Sequence, residues 1–240
     1  MAQEFQLFID AIKSGLTELF ARYFKEEYLE REDDDGMRPI HHTSNQGHLE
    51  AVNLLIGKHC DINACDIFGR RPIHLACNRG HIKTANLLID QQCNIDACDM
   101  FGWRPIHHAY NTGYIKVMIL MIEHHCDINA CEISGQRPIY LACSQGHIEA
   151  AKLLVDHNCD INACNMSGRR PIHHTCSQRH IEAVNLLIDH NCDINACVMV
   201  GNQRNVVRTI NQTGHTSWES RKCYEDNCAM GKKIISSGIQ

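Results

Sequence analysis

Five copies of one tetrad decide the fold, and they read Arg38-Pro39-Ile40-His41, Arg71-Pro72-Ile73-His74, Arg104-Pro105-Ile106-His107, Arg137-Pro138-Ile139-Tyr140 and Arg170-Pro171-Ile172-His173. Each copy begins 33 residues after the one before it, and together they contain all five prolines of the chain. Most copies are followed by small residues, a Gly-His pair, an apolar Leu-Leu-Ile segment and a Cys-Asp-Ile-Asn-Ala-Cys run. An internal period of this length indicates an array of similar, stacked units.

One unit reads as two short helices joined by turns. Pro72 suits the first turn of a helix, where its missing N–H costs nothing. Gly80 ends that helix, because glycine adopts the left-handed conformation without strain. A second helix, from about His81 to Asp90, has apolar residues at spacings of three and four. Two helices this short bury their apolar faces only against neighbouring units, so the pattern predicts stacking.

Length and composition exclude several classes of protein. The chain has 240 residues, 23 basic and 28 acidic side chains and a net charge of -5, which is unfavourable for nucleic-acid binding. Its longest apolar run, Val117 to Ile122, falls far short of the ~20 residues that span a bilayer. The N-terminus lacks the basic and apolar regions of a secretory signal. We therefore expect no membrane insertion, no nucleic-acid partner and a cytoplasmic or nuclear location.

The 33-residue unit, for instance 66–98, strongly resembles the ankyrin repeat. Five full repeats are predicted at 33–65, 66–98, 99–131, 132–164 and 165–197, with an N-terminal capping repeat over 1–32 and a degenerate C-terminal cap and tail over 198–240. The resemblance implies an all-α solenoid of stacked helix-turn-helix units with hairpin-like connecting turns. It also implies a protein-binding role and no enzymatic activity.

Two departures from the family pattern bear on stability. The threonine that usually precedes the proline and caps the first helix is arginine in all five copies, and losing a cap costs roughly 0.5–2 kcal/mol. The glycine that usually follows the second helix is replaced by His59, Gln92, His125, Asn158 and Asn191. Of these, only asparagine readily adopts the left-handed conformation. The sequence thus predicts modest stability for each repeat.

Fifteen cysteines invite a metal or disulfide interpretation, but their register favours structural thiols. Packed helices lie ~8–10 Å apart, too far for equivalent cysteines to form disulfides or share a zinc ion. Three stand at small core positions, Cys77, Cys143 and Cys176, and five follow the second helix, Cys60, Cys93, Cys126, Cys159 and Cys192. A further column is expected to be partly exposed: Cys65, Cys98, Cys131, Cys164 and Cys197. No metal or cofactor is predicted, and the Cys223 and Cys228 pair lacks a second pair to complete a site.

The arginines of the tetrads form a ladder that has two interpretations. Either they pair locally with acidic side chains and turn carbonyls, or they contact an acidic partner. The resemblance implies that His41, His74, His107 and His173 have a structural hydrogen-bonding role. No acid or oxyanion donor accompanies a histidine and a cysteine in a recognisable catalytic arrangement, so enzymatic activity is not expected. The acidic run Glu26 to Asp35 is interpreted as a solvated linker.

The predicted partner-binding residues flank the glycine of each connecting turn, which in ankyrin proteins projects as a fingertip and contacts partners. They are Ile67, Phe68, Arg70, Met100, Phe101, Trp103, Ile133 and Met166. Turns are normally polar, so this apolar content indicates a binding surface on the concave side. The alternative is that these side chains pack against one another or against the helices.

The leading hypothesis for function is a scaffold or adaptor that binds a partner protein on this surface. A second hypothesis is a structural subunit built permanently into a cytoskeletal or multi-subunit assembly. A third is a thiol-based redox or metal-responsive protein.

The end of the array is expected to be covered. An end repeat left bare exposes the apolar residues Ile181, Val184 and Leu187, and solubility requires a cap. A degenerate half-repeat containing Val206, Val207 and Ile210 is predicted to supply it, with the shield running from Gln203 to about Thr213.

Overall fold

The computed structural model describes residues 2–15, 17–194, 197–200 and 203–206. The chain divides into two compact units, Met1–Asp127 and Ile128–Gln240. Over the described residues each unit is built from pairs of antiparallel helices. No helix in this part of the chain is both long and apolar enough to cross a membrane.

The helices of the first unit are α1 (Ala2–Ser14), α2 (Thr17–Tyr23), α3 (Pro39–Gln46), α4 (Leu49–Gly57), α5 (Pro72–Arg79), α6 (Ile82–Asp90), α7 (Pro105–Thr112) and α8 (Ile115–Glu123), with a 3₁₀ turn at Glu26–Tyr28. Those of the second unit are α9 (Pro138–Gln145), α10 (Ile148–Asp156), α11 (Pro171–Gln178) and α12 (Ile181–Asp189). Strands β1 (Cys197–Val200) and β2 (Gln203–Val206) pair antiparallel, with Cys197 opposite Val206 and Val200 opposite Gln203.

The predicted pair of helices per repeat is confirmed, and so is the all-α, ankyrin-type stacking. In the first unit α3 packs on α5 and α5 on α7, while α4 packs on α6 and α6 on α8. In the second unit α9 packs on α11 and α10 on α12. The core consists of the inward positions of both helices in each pair, such as Ile73, Ala76, Ala85 and Leu88, which are completely buried.

An aromatic cluster distinguishes the N-terminal helix pair from the repeats. Phe8 lies 5.2 Å from Phe20, 5.9 Å from Phe24 and 5.7 Å from Tyr28, measured between ring centroids. Phe5 packs edge-on against Tyr28 at 5.3 Å, and the guanidinium of Arg31 lies 4.5 Å from the Phe5 ring. Large aromatic side chains bury much apolar area in few residues. This cluster therefore gives a short helix pair its own core at the end of the array.

The tetrad histidine supplies the helix cap that the tetrad arginine does not. The Arg71 N–H donates to His74 Nδ1 at 3.0 Å, and the same bond recurs at His41, His107 and His173 at 3.0–3.1 Å. Because Nδ1 accepts, the proton is on Nε2, and His74 Nε2 donates to the carbonyls of Ala97 at 3.0 Å and Trp103 at 3.2 Å. The histidine therefore ties its own helix to the next connecting turn. The structural role that the resemblance implied for it is confirmed at His41 and His74.

The residues that replace glycine after the second helix all adopt the left-handed conformation. His59, Gln92 and His125 have φ of 58–62°, as do Asn158 and Asn191 at 58–61°. Asparagine was expected to be the only one of these residues that suits the position, but histidine and glutamine adopt the same conformation there. The turn requires positive φ in every repeat, and the strain of a non-glycine residue there is accepted five times.

A glycine at the end of the first helix lies against an aromatic ring of the next repeat. Gly80 has φ +73°, and a Cβ there would lie 2.6 Å from Cδ1 of Tyr114. Gly47 faces His81, and Gly146 faces His180, in the same way. In the fifth repeat the corresponding residue is Arg179, which keeps the left-handed conformation at φ 62°. The repeats with Gly47, Gly80 and Gly146 therefore use glycine for space as well as for backbone freedom.

The C-terminal cap is described only in part. Residues 203–206 form strand β2, so Val206, the first residue of the predicted half-repeat, ends a strand, and the half-repeat itself stays a prediction. The hairpin forms here because the segment corresponds in register to the connecting turns of the earlier repeats. Val207, Ile210, Thr213, Cys223 and Cys228 lie outside the described residues, as do Asn195 and Gly201.

Candidate protein-binding surface

The connecting turns, here called fingertips, comprise residues 33–37, 66–70, 99–103, 132–136 and 165–169. In each one, the side chain of the first residue accepts two backbone N–H groups of the same turn. Asp66 Oδ1 accepts from Phe68 at 2.9 Å and Arg70 at 2.8 Å, and Asp99 Oδ1 accepts from Phe101 at 2.9 Å and Trp103 at 2.8 Å. Asp33 and Asn165 also accept both N–H groups on one oxygen, whereas Glu132 accepts one on each of its two oxygens. The turn is thus held from inside by its own first residue.

Neighbouring fingertips are joined by single backbone hydrogen bonds. In the first unit, Ile67 N donates to Asp35 O at 3.1 Å, and Met100 N donates to Phe68 O at 2.9 Å. In the second unit, Met166 N donates to Ser134 O at 2.9 Å. Each joined row presents its turn side chains in a fixed order. A preformed row of this kind loses little conformational entropy when a partner binds.

The apolar fingertip side chains of the first unit point to solvent. Ile67, Phe68, Met100 and Phe101 are all exposed, with 55 % of Met100 and 52 % of Phe101 accessible. Their backbones are hydrogen-bonded within the turn, so packing does not require these side chains to be apolar. The alternative that the fingertip side chains pack away against one another or against the helices does not hold for these four.

Arg70 braces the surface and does not offer a free charge. Its Nη2 lies 2.7 Å from Oδ2 of Asp66, whose side chain is completely buried, and its Nε lies 2.8 Å from the same oxygen. The guanidinium also lies 4.8 Å from the centre of the Phe68 ring. A buried carboxylate needs a paired cation. Arg70 therefore neutralises Asp66 and supports Phe68 at the same time.

Trp103 differs from the other predicted binding residues because it is half-buried. Its ring centre lies 5.1 Å from that of His108 and 6.1 Å from that of His107. Its backbone N–H donates to Asp99, and its carbonyl accepts from His74. Trp103 thus presents one edge of its ring at the surface, and the rest packs on helix α7.

A group of titratable residues supports the third fingertip. Asp99 Oδ2 lies 3.4 Å from His108 Nε2, and the His108 ring packs edge-on against His74 at 5.7 Å. Burial alone raises the pKa of Asp99, but the adjacent His108 and the hydrogen bonds from the N–H groups of Trp103 and Phe101 outweigh it, so its pKa lies below the usual value. Burial, together with the nearby His108, lowers the pKa of His74 to about 4. Neutral His74 and ionised Asp99 are the forms that hold this fingertip.

The second unit contributes two predicted residues, and both are exposed. Ile133 and Met166 project from their own fingertips, with 80 % of Met166 accessible. They are flanked by Ser134 and Ser167, so the apolar content of each fingertip is lower than in the first unit. The dense apolar part of the surface is therefore formed by Ile67, Phe68, Met100 and Phe101.

The arginine ladder pairs locally, which favours the first of its two interpretations. Arg104 Nη1 lies 3.2 Å from Asp127 Oδ2 and 3.4 Å from Asp96 Oδ1. Equivalent pairs join Arg137 to Asp160 at 3.3 Å and Arg170 to Asp193 at 2.8 Å, and Arg71 donates to Asn63 at 3.1 Å. Arg38 pairs with Glu30 and Glu32, so part of the acidic run packs on the first repeat and is not merely a solvated linker.

The cysteines separate into buried and exposed sets. Twelve of those described are free thiols, and the exposed ones are Cys65, Cys98, Cys131 and Cys164. Burial raises the pKa of the other thiols, for example to about 12 at Cys60, Cys93 and Cys126. A thiol kept protonated is a poor nucleophile and a poor metal ligand. Within the described residues, no three His, Cys, Asp or Glu side chains are placed to hold one metal ion.

The sequence analysis did not identify the acidic or amide residue that begins each fingertip. Its signal was present, because Asp33, Asp66, Asp99, Glu132 and Asn165 recur every 33 residues, three positions before the turn glycine. The side chain of each accepts two N–H groups of its turn, which is the usual role of such residues in turns. This column supports the exposed binding residues from below.

Comparison with known protein families places these features in a wider group. Residues 40–132 and 117–197 match the family model described as "Ankyrin repeats (3 copies)". The two matches overlap and together span 40–197, which is well over half of the 240 residues. No curated protein is similar to the chain.

Proposed function

The chain belongs to the ankyrin-repeat family, whose repeats are generally protein–protein interaction modules, and from this premise we propose that it is a non-enzymatic scaffold or adaptor. We place its partner protein on the fingertip surface of the first unit, around Ile67, Phe68, Met100 and Phe101. Arg70 and Trp103 belong to the same surface as supporting residues. Ile133 and Met166 extend the proposal to the second unit.

One observation carries this proposal: large apolar side chains project to solvent from turns whose backbones are already fully organised. The N–H of Met100 is bonded to the neighbouring fingertip and that of Phe101 to Asp99. Folding of the turn is therefore satisfied without a large side chain at either position. Exposed apolar residues grouped on a rigid support are typical of binding surfaces.

The affinity that these side chains support is moderate. Burying roughly 100 Å² from each of Phe68, Met100 and Phe101 contributes about 7 kcal/mol before costs, at ~25 cal/mol/Å². Loss of translational and rotational freedom offsets much of this gain. A Kd of 1 μM requires about 8 kcal/mol net, so this patch alone is expected to bind more weakly than that, and tighter binding needs polar contacts around it.

The test is affinity capture from native extract with the full chain and two variants, quantified by mass spectrometry. Phe101→Ala removes a half-exposed ring and is expected to leave the helical content and melting temperature unchanged while partner recovery falls at least fivefold. Lys83→Glu, an exposed position on helix α6, is the control and is expected to recover the same proteins as the natural chain. If Phe101→Ala recovers the partner as well as the natural chain does and Lys83→Glu loses it, the binding site lies on the outer helices and not on the fingertips.

We further propose that the protein works in a reducing compartment, the cytoplasm or the nucleus. The support is the set of four exposed thiols, Cys65, Cys98, Cys131 and Cys164. Free exposed thiols persist where glutathione and thioredoxin keep them reduced. Immunofluorescence of the tagged full chain tests the location directly.

A further inference from the structure

The fingertip surface of the first unit has an acidic edge beside its apolar centre. Asp34 and Asp35 project from the first fingertip, and both are exposed. The hydrogen bond from Ile67 N to Asp35 O joins this fingertip directly to the second one. The two carboxylates therefore lie at one end of the row that continues through Phe68 and Met100.

No free positive charge on these three fingertips balances that edge. Arg70 is the basic residue among the fingertips 33–37, 66–70 and 99–103. Its guanidinium is committed to the buried carboxylate of Asp66, at 2.7 Å. Asp33 of the first fingertip has its Oδ2 2.8 Å from His42 Nε2, and because burial lowers the pKa of His42 and keeps it neutral, the carboxylate of Asp33 adds to the negative charge at this end. A ligand that crosses this row meets negative charge at one end and apolar side chains at the other.

The spacing of the row selects an extended segment as the ligand. Packed helices set neighbouring repeats ~8–10 Å apart. An extended chain of the polyproline II type advances ~3.1 Å per residue and turns once in about three residues, so three residues of ligand cover one repeat and return to the same face. Side chains three positions apart along such a ligand meet successive fingertips. The first fingertip suits a basic side chain, and the second and third suit apolar ones.

We propose that the first unit recognises an extended polypeptide segment in which a lysine or arginine is followed, at intervals of about three residues in either chain direction, by two apolar side chains. The basic side chain lies against Asp34 and Asp35, and the apolar ones lie against Phe68 and then Met100 and Phe101. The inference rests on the proposed function and adds the chemistry of the partner. Anionic ligands such as nucleic acids and acidic lipid surfaces are disfavoured by the same two carboxylates.

Fluorescence anisotropy with synthetic peptides and the full chain tests the proposal. The probe is a fluorescein-labelled peptide GSKSGFSGFSGS, with its reversed order GSFSGFSGKSGS, and with versions that have glutamine or glutamate in place of the lysine. In at least one order, the lysine peptide is expected to bind at least fivefold more tightly than the glutamate peptide at low salt. That difference is expected to disappear in 1 M salt, where screening acts within ~3 Å.

Two double variants are compared. The test variant carries Asp34→Asn and Asp35→Asn, and the control variant carries Glu123→Gln and Asp156→Asn. Both pairs remove two exposed carboxylates, the second pair at the ends of outer helices. The first pair is expected to reduce the preference for lysine over glutamate to below twofold, and the second pair to leave it unchanged. Phe101→Ala is expected to weaken all versions of the bound peptide at least fivefold.

Several results overturn the inference, and they are distinguishable from failure of the proposed function. Equal binding of the lysine, glutamine and glutamate peptides, with loss in Phe101→Ala, rejects the basic ligand but keeps the surface. If peptide binding is insensitive to Phe101→Ala, or if no peptide binds at 1 mM, the proposed ligand segment is rejected. The capture experiment then still tests whether the fingertip surface binds a partner protein. If the chain self-associates and Phe101→Ala abolishes this self-association, the occupant of the surface is a second copy of the chain.

Discussion

At the scale of single residues, the repeat assigns one chemical role to each column and varies the residue that performs it. The first fingertip residue is aspartate in three repeats, glutamate in one and asparagine in one, yet its side chain accepts the turn N–H groups in all five. The tetrad histidine is replaced once by Tyr140, whose hydroxyl accepts from Asn165 Nδ2 at 3.1 Å. The role is therefore a hydrogen bond between a helix and the following turn, and two side chains perform it.

Burial predicts which thiols react in the native protein. Brief alkylation at neutral pH is expected to modify Cys65, Cys98, Cys131 and Cys164, which are exposed. Cys77 and Cys143 are completely buried, and burial raises their pKa, so they are expected to react only after unfolding. Peptide mass spectrometry before and after denaturation checks this, and rapid native labelling of Cys77 would contradict the packing.

Acid is expected to weaken the fold through its buried histidines. Burial lowers the pKa of His74 from 6.5 to about 4, so the unfolded chain binds this proton more tightly than the folded one. Its contribution is complete above about pH 6.5 and is lost as the pH falls toward 4, by about 3 kcal/mol in total. Burial also lowers the pKa of His41 and His42, which adds to the slope.

Urea unfolding at pH 7.5, 6, 5 and 4.5 measures this dependence. His74→Tyr introduces the residue that the fourth repeat has at the same position. It is expected to reduce the slope of the free energy of unfolding against pH by the equivalent of up to one proton. His124→Gln changes an exposed histidine and is the control. Parallel profiles for the natural chain and His74→Tyr would show that His74 is not the titrating group.

At the scale of secondary-structure elements, each repeat is fixed at both ends of its first helix. The histidine cap lies at the start in every repeat except the fourth, which has Tyr140, and a left-handed residue lies at the end in all five. Because the glycine at the end also faces a ring of the following repeat, one position controls both the helix end and the contact between neighbours. The contact between Gly80 and Tyr114 is the clearest instance.

Two glycine substitutions separate these effects. Gly80→Ala places a Cβ 2.6 Å from Tyr114 and strains a backbone with φ +73°, so it is expected to destabilise the protein by about 2 kcal/mol or more. Gly57→Ala, in the last turn of helix α4 with no atom within 4 Å of the added Cβ, is expected to stabilise by about 0.5–1 kcal/mol. Urea unfolding of both variants gives the difference, and equal effects would contradict the ring contact.

The elements and the stacking were predictable from the sequence because proline, glycine and apolar spacing recur every 33 residues. The local pairing of Arg104 and Arg170 with aspartates was one of two interpretations, and only distances decide between them. The half-burial of Trp103 was not predictable, since it depends on His108, which replaces a leucine of neighbouring repeats, lying 5.1 Å from the ring. Exposure of Phe101 and its neighbours followed from the turn register, whereas their use by a partner is a proposal.

At the scale of the whole molecule, stability is the sum of repeats and of contacts between neighbours, so the ends of the array matter more than their size suggests. Of the three apolar residues expected to need cover, Val184 and Leu187 are buried, and Ile181 in helix α12 of the last full repeat is more than half exposed. At the other end, the cluster around Phe8 provides an aromatic core. The chain following residue 197 is therefore predicted to contribute to stability.

Two truncations test this contribution. Ending the chain after Gly201 is expected to lower both solubility and melting temperature, because the segment predicted to shield the fifth repeat is removed. Ending it after Gly214 is expected to have a much smaller effect. Thermal unfolding of the two shortened chains beside the full chain provides the measurement, and identical transitions for all three would exclude a cap in residues 202–214.

Because the glycine of one repeat contacts the ring of the next, one repeat can replace another where this contact is kept. A 33-residue unit that ends its first helix in glycine, such as those containing Gly47 and Gly80, accepts any successor that offers a histidine or tyrosine ring. The fifth unit has Arg179 at that place, and the residue that would offer the ring to it is Thr213. Gene duplication or deliberate grafting thus has room to insert copies before the fifth unit, whereas moving that unit inward requires Arg179→Gly first.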